Sequence, residues 1–534
     1  MTNRTTKMAA AMSLAFLMFI GANCFAVAPY FNGAGSSAAF NAFALAAGPS
    51  VGGAVCGGFI WTKKNGAQGV DHRGTGLLET GNVWIVWDNS TSPTKVCSYI
   101  AVDSIIGQQL FFARPASTFN ILFPSGTAGD NLVPTLTDTP IPTAVINVLQ
   151  GRPFNAAPTD IRPEDALFEE NRVLAALDKV NYNGLGYGPG PVGTPILSTF
   201  STKSSTPAVY ALSGNDPISG QAIPATKTLD VGVQVLMAIV NAQQGSAANS
   251  GHFGDSTSFF NINRRDWTLA LNGGYALTKN LTSVPGQATV PLNVILREPL
   301  SGTFTTLEFN IPRNLETGST QELNVNPAQG HGTTCPIQPC GNPLNLSNGS
   351  GWRRRAIGNG EMISEIGVPS NGDVLGYAFW SVGNLAGQSP AIRYLAVDGV
   401  DPINLTYVDG TLPTCSAPCP GIASFANVAA GNYPVWSTLR LVSSNPVPAG
   451  VTALIARAQS QVRNIYPDFL PLSEMGVLRS HYKQSGVTPA NGSKGACTAA
   501  EKGGDVGGAV LTIEGDQFYC ATTGVKTGRT SMKQ

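Results

Sequence analysis

Three stretches of the chain carry residue types that could hold an anion. Asn32-Gly-Ala-Gly-Ser-Ser37 runs straight into residues 38–47, which are rich in helix formers. A glycine-rich turn feeding a helix leaves backbone N–H groups able to face negative charge. The same residues also read as an ordinary Ser N-cap. Asn155-Ala-Ala-Pro-Thr-Asp160-Ile-Arg-Pro-Glu-Asp165 leads into a helix predicted over 166–177. Acidic residues early in a helix suit its positive end, and Asp160 could simply cap it. Arg297-Glu-Pro-Leu-Ser301-Gly-Thr303 follows an apolar run at 290–296 and precedes a helix predicted from residue 304. A strand end, a small-residue turn and a helix start meet there, with a guanidinium beside them. Read plainly, residues 301–303 are a turn, and Arg297 pairs with Glu298 or with a more distant acid.

Such turns act together only if the surrounding elements bring them to one place. Residues 83–87 and 96–102 read as a hairpin or two adjacent strands. The run 231–240 is almost continuously apolar and suits a buried strand. Further strands are predicted at 374–380 and 433–442, with strand and turn character over 394–413. A glycine-nucleated helix is predicted over 357–366. Val451, Leu454, Ile455, Ala458 and Val462 share one face at helical spacing, which predicts an amphipathic helix over 450–465. Residues 124–142, 185–230 and 335–351 read as connections. Strands alternating with helices predict an α/β protein with mostly parallel sheets. Ligands of such sheets sit at the strands' carboxyl ends, where these turns fall.

Residues 1–26 are expected to be a signal peptide and not part of the fold. Arg4 and Lys7 precede an apolar run from residue 8 to 20, and small residues follow. The run is shorter than the roughly 20 residues a membrane helix needs. The mature chain is therefore expected in the periplasm or cell envelope. Of 534 residues, 43% are hydrophobic and 12% charged, enough to bury a sizeable core. Lys and Arg total 32 and so do Asp and Glu, so no global field points to nucleic acid. An anion would have to be held by local geometry. Apart from Cys24 in the signal, eight cysteines remain. In an oxidising compartment their order suggests the pairs 56–97, 335–340, 415–419 and 497–520. No metal site or cofactor is expected.

An enzyme is not expected. The chain has no Gly-x-Ser-x-Gly elbow and no His-Glu-x-x-His, and its four histidines leave little choice of general base.

In order along the chain come Gly-Ala-Gly-Ser-Ser37, Ala-Pro-Thr-Asp160, Arg297-Glu-Pro-Leu-Ser-Gly-Thr303, Gly-Tyr-Ala-Phe-Trp380 and Tyr-Pro-Val-Trp-Ser-Thr438. The set resembles the phosphate-binding proteins of ABC importers, and the related phosphate-binding proteins with a glycine-rich N-terminal signature. The resemblance implies a two-lobed periplasmic-binding-protein-like fold of type II. Two hinge-crossing strands would join the lobes, with β-rich insertions. Lobe one would comprise 27–232 plus 405–480 and lobe two 233–404. Residues 481–534 would form a polar tail with a disulfide. The first crossing would lie in 231–240.

The resemblance also implies a ligand set. Ser37 supplies a hydroxyl and Ala38 a backbone N–H. Asp160 supplies a carboxylate, Arg297 a guanidinium, and Ser301, Gly302 and Thr303 the hydroxyl and amide donors. A guanidinium grips two oxyanion oxygens in a planar fork. A carboxylate suits an anion that still carries a proton, because it can accept the P–O–H bond. A fully ionised sulfate would be repelled. Two departures stand out. Pro299-Leu300 replaces an Asp-Gly common in the family, removing a carboxylate that could orient Arg297. The Ser-rich donor loop usual between the first motif and the Asp has no clear match, Arg73–Gly76 and Ser125–Thr127 being the candidates. The expected function is thus a monomeric, exported solute-binding protein delivering phosphate to the membrane subunits of an ABC importer. A surface or envelope interaction protein on the same fold is the alternative.

Overall fold

The computed structural model describes residues 28–50, 52–64, 68–71, 78–79, 81–167, 210–243, 252–255, 259–271, 275–282, 290–297, 300–311, 351, 353–356, 358–415 and 421–476. The expected signal at 1–26, the tail at 481–534, the cysteines at 335, 340, 419, 497 and 520, and Arg73–Gly76 lie outside them. No helix among the described residues is long and apolar enough to cross a membrane.

The architecture is mixed α/β, built on one long strand. The strands used below are β1 (Phe31–Gly35), β2 (Phe59–Lys63), β3 (Asn82–Trp87), β4 (Val96–Ala101), β5 (Ala156–Thr159), β6 (Thr226–Asn241), β7 (Asn293–Arg297), β8 (Arg353–Ala356), β9 (Val374–Phe379), β10 (Ile392–Val397) and β11 (Trp436–Ser444). The main sheet follows the order β8-β7-β9-β6-β11-β5-β1-β4-β3-β2, with β10 also paired to β6. At roughly 3.3 Å per residue, β6 is about 50 Å long, enough to belong to two units at once. Its first part, to Val235, pairs with β11. From Leu236 onward it pairs with β9 and β10. Every residue from Val231 to Asn241 is buried, which is why the sequence there is apolar on both faces.

The change of partner divides the molecule into two α/β units. The first holds β1 to β5 and β11. The second holds β7 to β10. The chain returns to the first unit at β11, where Leu236 N–H donates to Val435 O at 3.0 Å. Before it, Asn427 Nδ2 donates to Asp401 O, Tyr407 to Tyr394 O and Tyr433 to Leu236 O, so these residues bond to one another and to β6 and β10.

The sheet is mixed, where mostly parallel pairing was expected. Parallel pairs join β1 to β4 and β5, and β7 to β8 and β9. The long strands β6 and β11 run antiparallel because the chain crosses one way and comes back. A β-rich insertion forms a separate four-stranded sheet from Gln68–Asp71, Leu78–Glu79, Thr118–Ile121 and Arg152–Pro153. The expected hairpin is β3 with β4.

Cys56 and Cys97 form a disulfide with Cα atoms 5.9 Å apart, tying the segment before β2 to β4. Cys415 is disulfide-bonded as well. The helices that frame the site are α1 (Phe40–Ala47), α2 (Ser104–Phe112), α3 (Gly302–Asn310) and α4 (Gly358–Ile366). Gly358 takes φ 71°, which lets the chain turn from β8 into α4 at little steric cost.

Candidate functional site

The parallel strands end on one edge of each unit, and their following turns meet. From the first unit come the turn after β1, the Asp103-Ser104 joint between β4 and α2, and Asp160 just past β5. Their backbones are linked directly: Ser36 N–H donates to Pro158 O at 2.9 Å and Val102 N–H to Gly35 O at 3.0 Å. From the second unit come Arg297 at the end of β7, Ser301-Gly302-Thr303 at the start of α3, and Asn359 in the first turn of α4. Asp160, Arg297 and Ser301 are each fully buried, and Ser104, Thr303 and Asn359 are each 1% exposed.

The groups bond across the units. Ser104 Oγ donates to Asp160 Oδ1, and Thr303 Oγ1 donates to Asp160 Oδ2 at 3.4 Å. Arg297 Nη2 pairs with Asp103 Oδ1 at 2.6 Å. Its Nη1 donates to Asn359 Oδ1 at 2.7 Å and to Thr303 Oγ1 at 3.4 Å. Its Nε donates to Ala356 O at 3.2 Å. The Arg297 backbone N–H donates to Tyr377 Oη at 2.8 Å. Ile105 N–H, in the first turn of α2, donates to Leu300 O at 3.3 Å. Ser301 Oγ caps α3 by accepting from Thr303 N–H at 3.2 Å, the usual device for a helix start.

Burial pushes the Asp160 carboxyl up to about 6 from its ordinary 3.8. The Ser104 hydroxyl, its own backbone N–H and the Arg297 charge pull it down, while the Asp103 charge pushes it up. Tyr99 belongs to the same electrostatic group. Its hydroxyl donates to Ser36 O at 2.5 Å, and burial, with Asp160 and Asp103 nearby, raises its pKa well above the usual value.

Of the seven residues named from the sequence, Asp160, Arg297, Ser301, Gly302 and Thr303 come together here. Ser37 and Ala38 sit on the neighbouring turn. Ser36, not Ser37, is the N-cap there, accepting from Ala38 N–H at 3.1 Å. Ala38 O accepts from Gln234 Nε2 on β6 at 3.1 Å. Ser37 Oγ is buried and bonds to nothing among the described residues. Ser125–Thr127 lies elsewhere, beside β2, where Thr127 O accepts from Trp61 Nε1 at 2.9 Å.

Asp103, Ser104 and Asn359 were not singled out from the sequence. The first two had a readable signal, since they follow the strand at 96–102 as the other turns follow theirs. Asn359 lies in Gly-Asn-Gly at the start of a predicted helix. Among the described residues no group of three or more His, Cys, Asp or Glu side chains could hold a metal ion.

No protein-family model matches the chain, and no curated protein matches it. Solved structures do. A putative phosphate ABC transporter substrate-binding protein from Clostridium perfringens is 13% identical. The match covers 44% of this chain and 66% of that one, with a TM-score of 0.26. A phosphate-binding protein from Stenotrophomonas maltophilia is 14% identical, covering 62% and 80%, with a TM-score of 0.31. A human phosphate-binding apolipoprotein is 14% identical, covering 62% and 81%, with a TM-score of 0.28. At these TM-scores the likeness is too loose to transfer a site or a ligand, so the chemistry rests on this chain's own residues.

Proposed function

We propose that this protein is an exported solute-binding protein whose two α/β units close on a small, protonated oxyanion, phosphate, for delivery to an ABC-type importer. The observation that carries the reading is the convergence of Asp160 and Ser104 from one unit with Arg297, Ser301, Gly302 and Thr303 from the other, all in one buried cluster. The donor set is that of an oxyanion site: one guanidinium, hydroxyls and helix-start amides. Ser37, whose buried hydroxyl bonds to nothing among the described residues, supplies one more donor from the turn after β1.

Asp160 gives the reading its specificity. Ionised, it offers lone pairs and no proton. A hydrogen phosphate presents an O–H to it, whereas sulfate at neutral pH presents only negative oxygens. A buried carboxylate facing an unprotonated anion is costly. The reading needs no catalytic group. The lobes of this proposal are 28–235 with 436–476, and 236–435, joined at β6 and at the start of β11.

Calorimetric titration of the mature chain with phosphate and with sulfate tests the assignment. Phosphate should bind at least about a hundredfold more tightly than sulfate, a difference of about 2.7 kcal/mol. Equal binding of the two, or none of phosphate, would remove it. Recovery of a surface partner by a chain without anion affinity would favour an interaction role.

A further inference from the structure

We propose that Asp103 is a built-in counter-anion: a positioning residue that holds Arg297 across the two units and competes with the incoming ligand for its guanidinium. The inference rests on the oxyanion reading for its ligand, and on geometry alone for the contact itself.

Asp103 stands at the N-cap of α2 with φ 73° and ψ 158°. That region of backbone space is nearly reserved for glycine, and a side chain held there is strained. The residue does not use its carboxylate to cap the helix it precedes. The carboxylate reaches out of the first unit to Arg297 Nη2 in the second, at 2.6 Å. The acid is 5% exposed and the arginine fully buried. Next to it, Ile105 N–H donates to Leu300 O across the same joint. A costly backbone is thus spent on a contact between units and not on the local helix.

The donors of Arg297 are directed at protein partners. Nε faces Ala356 O, Nη1 faces Asn359 and Thr303, and Nη2 faces Asp103. An oxyanion gripped by this guanidinium must take over bonds that these groups hold. Asp103 is the partner whose charge an entering anion duplicates. With Asp160 also close, both carboxylates oppose a third negative group in the site, and removing the charge at 103 removes one of them. A merely structural acid would behave in the opposite way, because its loss would loosen Arg297 and weaken binding.

The test uses the full mature chain, inorganic phosphate and two variants. Asp103→Asn keeps an oxygen that can accept from Nη2 but loses the charge. Asp103→Gly removes the side chain and fits the observed φ. Titration should show phosphate binding about tenfold or more tighter in both variants than in the wild type. Unchanged or weaker binding in both would overturn the competition. Separately, a double-mutant cycle of Asp103→Asn with Arg297→Gln, followed by thermal unfolding without added anion, should show coupling between the two positions. Additive effects would overturn the cross-unit contact. The cycle contains no ligand, so failure of every protein to bind phosphate would remove the phosphate reading while the cycle still decides the contact.

Discussion

Thr303 of the second unit donates to Asp160 of the first across 3.4 Å, and the same hydroxyl accepts from Arg297 Nη1 at the same distance. A hydroxyl has one proton to give. Because the guanidinium only donates, that proton is directed at Asp160. Thr303 therefore fixes the polarity of the joint: charge donor on one side, ionised acceptor on the other. The arrangement is strongest while Asp160 is ionised and both its oxygens only accept, which links the site to pH.

Burial raises Asp160 to about 6. In the proposed site, above that value the carboxylate accepts a hydrogen bond from hydrogen phosphate and repels sulfate. Below it, the protonated carboxyl becomes a donor and no longer discriminates. Competition titrations between about pH 5 and pH 8 should show the preference for phosphate falling as the pH drops through 6. Asp160→Asn should abolish both the preference and its pH dependence. A preference that survives in the variant would place Asp160 outside the selective contact.

A second buried carboxylate makes stability fall with rising pH. Asp468 Oδ1 accepts from Val382 N–H at 2.6 Å, and its Oδ2 bonds to nothing among the described residues. Burial pushes it up to about 7, against the pull of Val382 N–H and the Ser381 hydroxyl. Between its ordinary 3.8 and about 7 the folded chain keeps a proton that the unfolded chain has lost. More protons bound to the native state means stability decreasing as pH rises through that window, then levelling off. Asp468→Asn stays neutral throughout. Its melting temperature should be flatter over this range, with a gain on the order of a few kcal/mol above pH 7. A variant with the same slope as the wild type would assign that slope to other groups, Asp160 among them.

The disulfide predicts its own loss. Cys56 and Cys97 are 41 residues apart, and closing a loop of that size restricts the unfolded chain by about 4 kcal/mol in the chain-entropy model. Replacing both cysteines by alanine should lower the unfolding free energy in denaturant titrations by about 2–4 kcal/mol. A change under about 0.5 kcal/mol would mean that the unfolded chain is already restricted there.

What the sequence revealed depended on how local the cause was. The run 231–240 is apolar on both faces because β6 is buried on both faces, so burial wrote itself into the composition. The turn at Ser301–Thr303 was legible because its cap is made within three residues. β5 was missed as a strand because Pro158 lies inside it, yet Pro158 O still pairs outward to Ser36. The helix expected over 450–465 is regular only to Arg457 and then widens into a π turn over Ala458–Val462, which a periodicity of 3.6 does not encode. The Asp103-Ser104 joint carried a single signal, its place after the strand at 96–102, and the sharp turn at Asp103 is made without the glycine that usually marks one. Its partner, Arg297, is 194 residues away, a relation that exists only in the folded chain.

Gly302 packs directly against Asp160 and Ser104 of the first unit, and it offers a direct test that closure matters. Built at this position, a Cβ would fall 1.8 Å from Asp160 Oδ1 and 2.6 Å from Ser104 Oγ. The backbone of Gly302 lies in ordinary helical space at the start of α3, so alanine fits the helix itself. Only the contact between units forbids it. Gly302→Ala must therefore move Asp160 and Ser104 away or hold the units apart, and overpacking of this kind costs typically 1–3 kcal/mol. Phosphate affinity should fall roughly tenfold to hundredfold, while the helix gains a better former than glycine. Gly58 makes the comparison: a Cβ there meets nothing within 4 Å, so Gly58→Ala should leave affinity unchanged. If Gly302→Ala binds as the wild type does, ligand binding does not require the approach of α3 to Asp160, and the anion must be held by one unit alone.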